Sequence, residues 1–312
     1  MQLYRSRDFS AYFQDTFSFV KQNGGHFFKH FFIVNGVFLL ILMVLGYFFM
    51  KFYTEIIFGG VLQNNPNVFD GFMNSNSGLF LFLLILFIIS SIVFGVFIYA
   101  YPVFYLKLYN SKGGKKFGTA ELITAYKNNL SRLIVYIFAS ILIGIPLTMV
   151  AAVLVFALFI TLIGIILVPF AIAVFSLFYI MALMEYMEGE RSIWDSYSYS
   201  WKLLSSKFIA SVGSVGIFYL MSYLVQNVIT LIAYIFGMVR MFTTVEDGNP
   251  NPEDFSGTMS IIMIITFMAG FLLGSILNSI VVLNQGIIYY SLKEDNESIN
   301  TKSIIDQIGS GE

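Results

Sequence analysis

LIVYIFASILIGIPLTMVAAVLVFALFITLIGIILVPFAIAVFSLFYIMALM, Leu133 to Met184, runs for 52 residues without an Asp, Glu, Lys or Arg. A helix crossing a bilayer needs about 20 apolar residues, rising ~1.5 Å each through a hydrocarbon core ~30 Å thick. The run is too long for one crossing and fits two. The sequence therefore predicts two helices joined by a tight turn between Phe159 and Gly164. Pro146 and Pro169 fall inside them and are expected to kink both, freeing backbone carbonyls.

Working outward, four further stretches reach spanning length: Phe31 to Met50, Leu79 to Leu106, Phe208 to Val239 and Met259 to Leu292. The total is six. Composition agrees, with 58% hydrophobic and only 11% charged residues, and a mean hydropathy of +0.81. Soluble domains carry roughly 25% charge, and this chain could not cover a water-facing surface at less than half of that. The expected fold class is all-α, a polytopic membrane protein of six transmembrane helices arranged as three hairpins. Residues 1–312 read as one integral membrane domain, with an amphipathic N-terminal segment (1–30), the six helices (31–292) and a tail (293–312).

A net charge of −1 creates no field to attract nucleic acid, and the absence of Cys excludes disulfides and thiolate chemistry. Arg5, Arg7, Asp8 and Asp15 interrupt the first twenty residues, so no cleavable signal peptide is expected there. With the N-terminus inside, the inner segments carry fifteen Lys and Arg, while the outer ones carry only Lys51 and Arg240. That asymmetry predicts cytoplasmic N- and C-termini, and a bacterial cytoplasmic (inner) membrane as the location. Two outer segments, Phe52 to Gly78 and the acidic Thr243 to Gly257, read as exposed turns.

A pattern recurs before the first, third and fifth spans. Tyr126-Lys127 is followed by Arg132, and Trp201-Lys202 by Lys207, each with the second base five residues beyond the first. Val20-Lys21 followed by His26 is a degenerate copy. The surrounding residues fall near one helical face: Phe9, Phe13, Thr16, Phe17 and Val20; Leu122, Ile123, Tyr126 and Leu130; Trp194, Tyr197, Trp201 and Leu204. Each suits a short helix in the membrane interface, aromatic side sunk among headgroups and bases at phosphate level. Three units follow, each an interfacial elbow helix and a hairpin. Ser200-Trp201-Lys202-Leu203 and this layout resemble a group of six-helix bacterial membrane proteins. The group includes the membrane region ahead of some glycerophosphodiester phosphodiesterases, and standalone relatives. The chain departs from the enzyme members because nothing like their catalytic barrel follows residue 292. The resemblance implies an architecture and no chemistry.

His26 and His30 stand one turn apart, but no carboxylate completes a metal site and Gly24-Gly25 is expected to break the helix before them. Glu185, Glu188 and Glu190 read as a polar stop with salt bridges to Arg191 or a neighbouring elbow. Lys112 to Lys116 lacks the spacing of a phosphate-binding loop and reads as a basic loop attracted to anionic lipid. No charge lies near mid-membrane, which argues against ion-coupled transport. The uncharged polar set comprises Asn35, Gln226, Asn227, Asn278, Asn284 and Gln285. Of these, Gln226, Asn227 and Asn278 are the candidate intramembrane contacts, expected to hold the fifth and sixth spans together. Gly270 and Gly274 form a small-residue packing face.

No catalytic, cofactor or metal site emerges, and the expected partners are lipids and other integral membrane proteins. The sequence favours a non-enzymatic accessory or scaffold subunit of a membrane assembly. A transporter or channel using Gln226, Asn227 and Asn278 is the alternative, and a lipid-headgroup enzyme using Glu185 and Glu188 a third reading.

Overall fold

A computed structural model describes residues 1–57, 68–246 and 252–300, and these are mostly helical with no strand among them. Eight helices follow in order: α1 (Phe9–Ile57), α2 (Val68–Ser111), α3 (Thr119–Asn128), α4 (Leu130–Phe159), α5 (Leu162–Glu188), α6 (Ile193–Ser206), α7 (Phe208–Glu246) and α8 (Pro252–Glu297). Six of them, all but α3 and α6, are long and apolar enough to cross a membrane. The all-α polytopic fold is as expected.

The long uncharged run divides where its length requires. α4 ends at Phe159, and Thr161 caps α5 by accepting from the Gly164 backbone N–H at 3.0 Å. A Cβ on Gly164 would sit 1.8 Å from the Leu158 carbonyl oxygen, so only glycine fits this turn. Both helices continue through Pro146 and Pro169. α5 stops at Gly189, whose φ of +94° is the left-handed termination that glycine adopts without strain. α6 starts at once, with Ser192 accepting from the Asp195 N–H.

Two expectations need correction. Gly24-Gly25 does not break the chain, because α1 continues through both. The first elbow is therefore one helix with its span, whereas α3 and α6 are separate helices ending at Asn129 and Lys207. Glycine costs a helix interior only about 1 kcal/mol. Gly24 is buried beside Val20 and Phe28 of the same helix. The expected outer turns are also shorter than read, since α1 reaches Ile57, α2 starts at Val68, α7 reaches Glu246 and α8 starts at Pro252. Asp70 in the first turn of α2 and Pro252 at the first position of α8 both favour helix starts. The Asn-rich stretch around Gln63 to Asn67, Asp247 with Pro250, and Lys302 with its tail lie outside the described residues.

The chain divides into two compact units. The first comprises Met1–Val34, Val96–Met221 and the chain from Asn278; the second comprises Asn35–Gly95 and Ser222–Leu277. The first is rich in buried polar groups and aromatic contacts. In it α6 lies on α4 and α5, with the Tyr197 ring parallel to Tyr136 at 6.0 Å, its hydroxyl 2.6 Å from Ser140 Oγ, and Ser200 Oγ donating to the Phe178 carbonyl. In the second, α1, α7 and α8 meet around an apolar cavity of about 500 Å³ lined by Met50, Thr230, Tyr234, Met259, Met263 and Phe267.

Candidate functional site

The densest chemistry sits in the first unit, where α5 ends. Glu185 has no exposed surface and Lys293 is 3% exposed. Lys293 Nζ donates to both Glu185 oxygens, at 3.2 and 3.0 Å. The Tyr289 hydroxyl donates to Oε2 at 2.6 Å, and Arg191 Nε to Oε1 at 2.8 Å. Three donors from α8 and the α5–α6 connection thus hold one carboxylate. Arg191 stacks on the Tyr199 ring at 4.0 Å and donates to Glu297 Oε1 at 3.0 Å, which also accepts from the Tyr199 hydroxyl. Burial alone pushes the Arg191 guanidinium down, but Glu185 and Glu297 outweigh that and hold it above its ordinary value. Burial and the neighbouring Glu297 carboxylate push the Tyr199 phenol well up. One turn beyond Glu185, Glu188 takes a 3.4 Å bond from Tyr290 and lies 3.9 Å from Lys107, whose ammonium donates to the Met187 carbonyl.

An isolated buried ion costs several kcal/mol, which this arrangement offsets only because each charge has partners. Formally it balances: Lys107, Arg191 and Lys293 against Glu185, Glu188 and Glu297. It ties α2, α5, α6 and α8 together. The Glu185 carboxylate is occupied on both oxygens, which suits cross-linking better than proton transfer. Beside it an open cleft of about 610 Å³ is lined by Glu190, Arg191, Asp195, Tyr199, Lys202 and Glu297 among others. Among the described residues no three His, Cys, Asp or Glu are grouped to hold a metal ion.

A second polar anchor folds the N-terminal segment. Arg7 is 2% exposed, pairs with Asp15 at 2.6 Å and donates to the carbonyls of Gln2, Leu3 and Arg5. Burial pushes its guanidinium below the ordinary value although Asp15 opposes that.

The residues singled out from sequence are dispersed. Within the first unit, Lys21 and Lys127 are exposed. His26 bonds the Tyr105 hydroxyl at 2.8 Å and the Phe117 carbonyl at 3.0 Å, and its ring meets that of His30 at 4.4 Å. Tyr126 is buried, stacked on Phe97 and donating to its carbonyl, so this aromatic turns into the protein and not toward headgroups. Arg132 donates to the Tyr186 carbonyl. Trp201 is 57% exposed, and Lys202 stands 6.0 Å over the Tyr199 ring. Lys207 pairs with Asp295 at 2.7 Å, and Asn278 faces Tyr99. In the second unit, the Gln226 amide rests against Gly274, while a Cβ on Gly270 would meet nothing within 4 Å. Asn227 is exposed and bonds its own helix at the Tyr223 carbonyl.

Sequence reading named the buried amides Asn284 and Gln285 in the polar set but did not single them out as contacts. Asn284 donates to Thr16 and Ser214, and Gln285 to Ser176, which also accepts from Tyr219. It counted Lys293 only as one of the fifteen inner bases, whereas the side chain is buried. The available signal was adjacency: Asn284-Gln285 and Tyr289-Tyr290-Ser291-x-Lys293 put polar groups on several faces of a helix that has to be buried.

No protein-family model, curated protein or solved structure matches this chain.

Proposed function

We propose that the chain is a non-enzymatic accessory or scaffold subunit of a larger integral-membrane assembly, with both termini in the cytoplasm of a bacterial cell and the resemblance to the six-helix group as its architecture. The observation that carries this reading is α4. Its most apolar stretch has no buried residue. Ile141, Ile145, Met149 and Val153 are exposed along one line of the helix, and Leu142 and Leu154 beside it. In a membrane, helix association comes from close packing and interhelical bonds, because lipid tails are as apolar as leucine. The start of α4 packs in the core through Leu133 and Ala139, but the stretch beyond Ile143 leaves its apolar side chains free to pack against another protein. The occupied Glu185 network supports a rigid support over a reactive centre. The transporter alternative gains nothing from Asn227, whose amide is bonded within its own helix.

The test is a photo-crosslinking residue at Val153 or Leu142, followed by mild-detergent purification and mass spectrometry. Stoichiometric protein adducts specific to α4 are expected. Adducts to lipid alone, with no co-purifying membrane protein, would remove the reading.

A further inference from the structure

The apolar cavity of about 500 Å³ in the second unit has one wall on α7, from Thr230 to Met238, and another on α8, from Met259 to Phe267, with Met50 of α1 beside them. All three segments lie inside helices long and apolar enough to cross a membrane. Small residues make the space. Ala233 and Gly237 stand one turn apart on the α7 wall, a spacing that ordinarily lets two helix backbones close up. Here a Cβ on Gly237 would meet Sδ and Cε of Met259, both at 3.5 Å, so the glycine faces the far end of a flexible side chain.

The cavity has a length and two distinct ends. Gly237 beside Met259, and Gln226 beside Gly274, make α7 and α8 antiparallel neighbours. Each wall covers eight helical rises, ~12 Å, a little under half of a ~30 Å hydrocarbon core. Met50, Met238 and Met259 lie close to Thr54, Val239 and Gly257, where the three crossing segments end or begin. The other end reaches Phe267, whose ring rests on α1: a Cβ on Gly46 would come 2.5 Å from it. Tyr234 and Met238 are exposed, so the cavity is continuous with the surface that meets lipid. Its thioethers, Met263 among them, are flexible enough to mould to an irregular guest. The Thr266 hydroxyl is taken up by the Ile262 carbonyl of its own helix, at 2.7 Å.

We propose that this groove is a binding site for one acyl chain of a phospholipid, with the carbonyl end by Met238 and Met259 and the methyl end by Phe267. The site goes beyond the scaffold reading, which concerns α4, and stands whether or not that reading holds. Three observations select the occupant: the groove lies at membrane depth, opens on the lipid-facing surface and runs about as far as one leaflet is deep. A polar substrate would leave its own donors unpaired against this lining. A partner's helix, ~10 Å across, does not fit in about 500 Å³ over that length.

The test places the full chain in nanodiscs containing a phospholipid with a photoreactive diazirine on one acyl chain, either near the carbonyl or at the chain end. Peptide mapping should find the first label at Met238 and Met259 and the second at Thr230 and Phe267. Adducts spread evenly over exposed residues such as Ile261 and Ile265 would mean surrounding lipid only and overturn the proposal. Ala233→Phe, which fills the groove, should cut both the adducts and the phospholipid retained in native mass spectrometry by about tenfold. That is the factor that burial of about two methylenes is worth. Ile265→Phe, at an exposed position of α8, should leave both unchanged, and equal losses from the two variants would overturn the site. Because the mapping uses the unaltered chain, it decides the question even where Ala233→Phe fails to fold. A diazirine-bearing free fatty acid, run in parallel, checks the source: labelling of the groove by that probe and not by the phospholipid overturns the assignment.

Discussion

Glu185 concentrates more buried charge chemistry than any other residue described above, and its partners lie far along the chain at Tyr289 and Lys293. Removing one member of a buried pair strands the other, and this typically costs about 3–5 kcal/mol. Glu185→Ala should therefore cause a large loss in a reversible unfolding measurement in detergent, with Lys293→Ala comparable. Glu185→Gln with Lys293→Met should recover much of that loss, because a neutral replacement of both partners leaves neither charge buried without the other. Equal damage from single and double variants would show that Arg191 and not Lys293 is the essential partner. Tyrosine offers a separate test. Burial pushes the Tyr197 phenol up to about 12, against an ordinary value of about 10. Its stabilising contribution is complete below pH 10 and is lost as pH rises through the folded value. Between those limits the unfolded chain releases a proton that the folded one keeps, so stability falls with pH. An alkaline titration should show tyrosinate absorbance appearing together with loss of helix above pH 10, and Tyr197→Phe should delay the loss.

At the scale of the element, length and charge were sufficient to place what the bilayer imposes. A run of 52 uncharged residues cannot be one crossing, and the turn falls within the interval expected for it. What could not be read was which forces win inside the protein. Gly24-Gly25 looks like a break in one dimension, yet α1 passes through both, since each glycine costs only about 1 kcal/mol of propensity. Tyr126 and Trp201 hold equivalent positions in the repeat, but one turns into the protein and the other outward, a choice made by the neighbouring Phe97 and not by spacing. Likewise Asn284 and Gln285 were indistinguishable by type from Asn227, which bonds its own helix. Partner identity across 70 or more residues is a tertiary fact with no local signature. The turn gives the sharpest element-level prediction. Gly164→Ala drives a Cβ toward the Leu158 carbonyl, and overpacking of this kind costs about 1–3 kcal/mol. The α4–α5 hairpin should lose that much in unfolding measurements, and protease nicking near Thr161 should rise. Gly144→Ala, which meets only the Tyr179 hydroxyl at 3.3 Å, should be much milder.

For the whole molecule, the proposed orientation rests on where the bases fall, fifteen on one side and two on the other. Charges in short segments near helix ends set topology because moving each across the hydrocarbon is costly. Six crossings then return the chain to the side it began on, so both termini share the basic side. The chain has no cysteine, so any introduced thiol is the only one and its labelling is unambiguous. Lys115→Cys, in the basic loop between α2 and α3, should resist a membrane-impermeant maleimide in intact cells and react once they are permeabilised. Glu253→Cys, in the acidic segment before the last span, should react in intact cells without further treatment. The reverse pattern would invert the map and place the Glu185 network on the outer side. Reaction of both thiols in intact cells would mean an even number of crossings between them, whereas the six-span count puts three there, so that outcome would overturn the count itself.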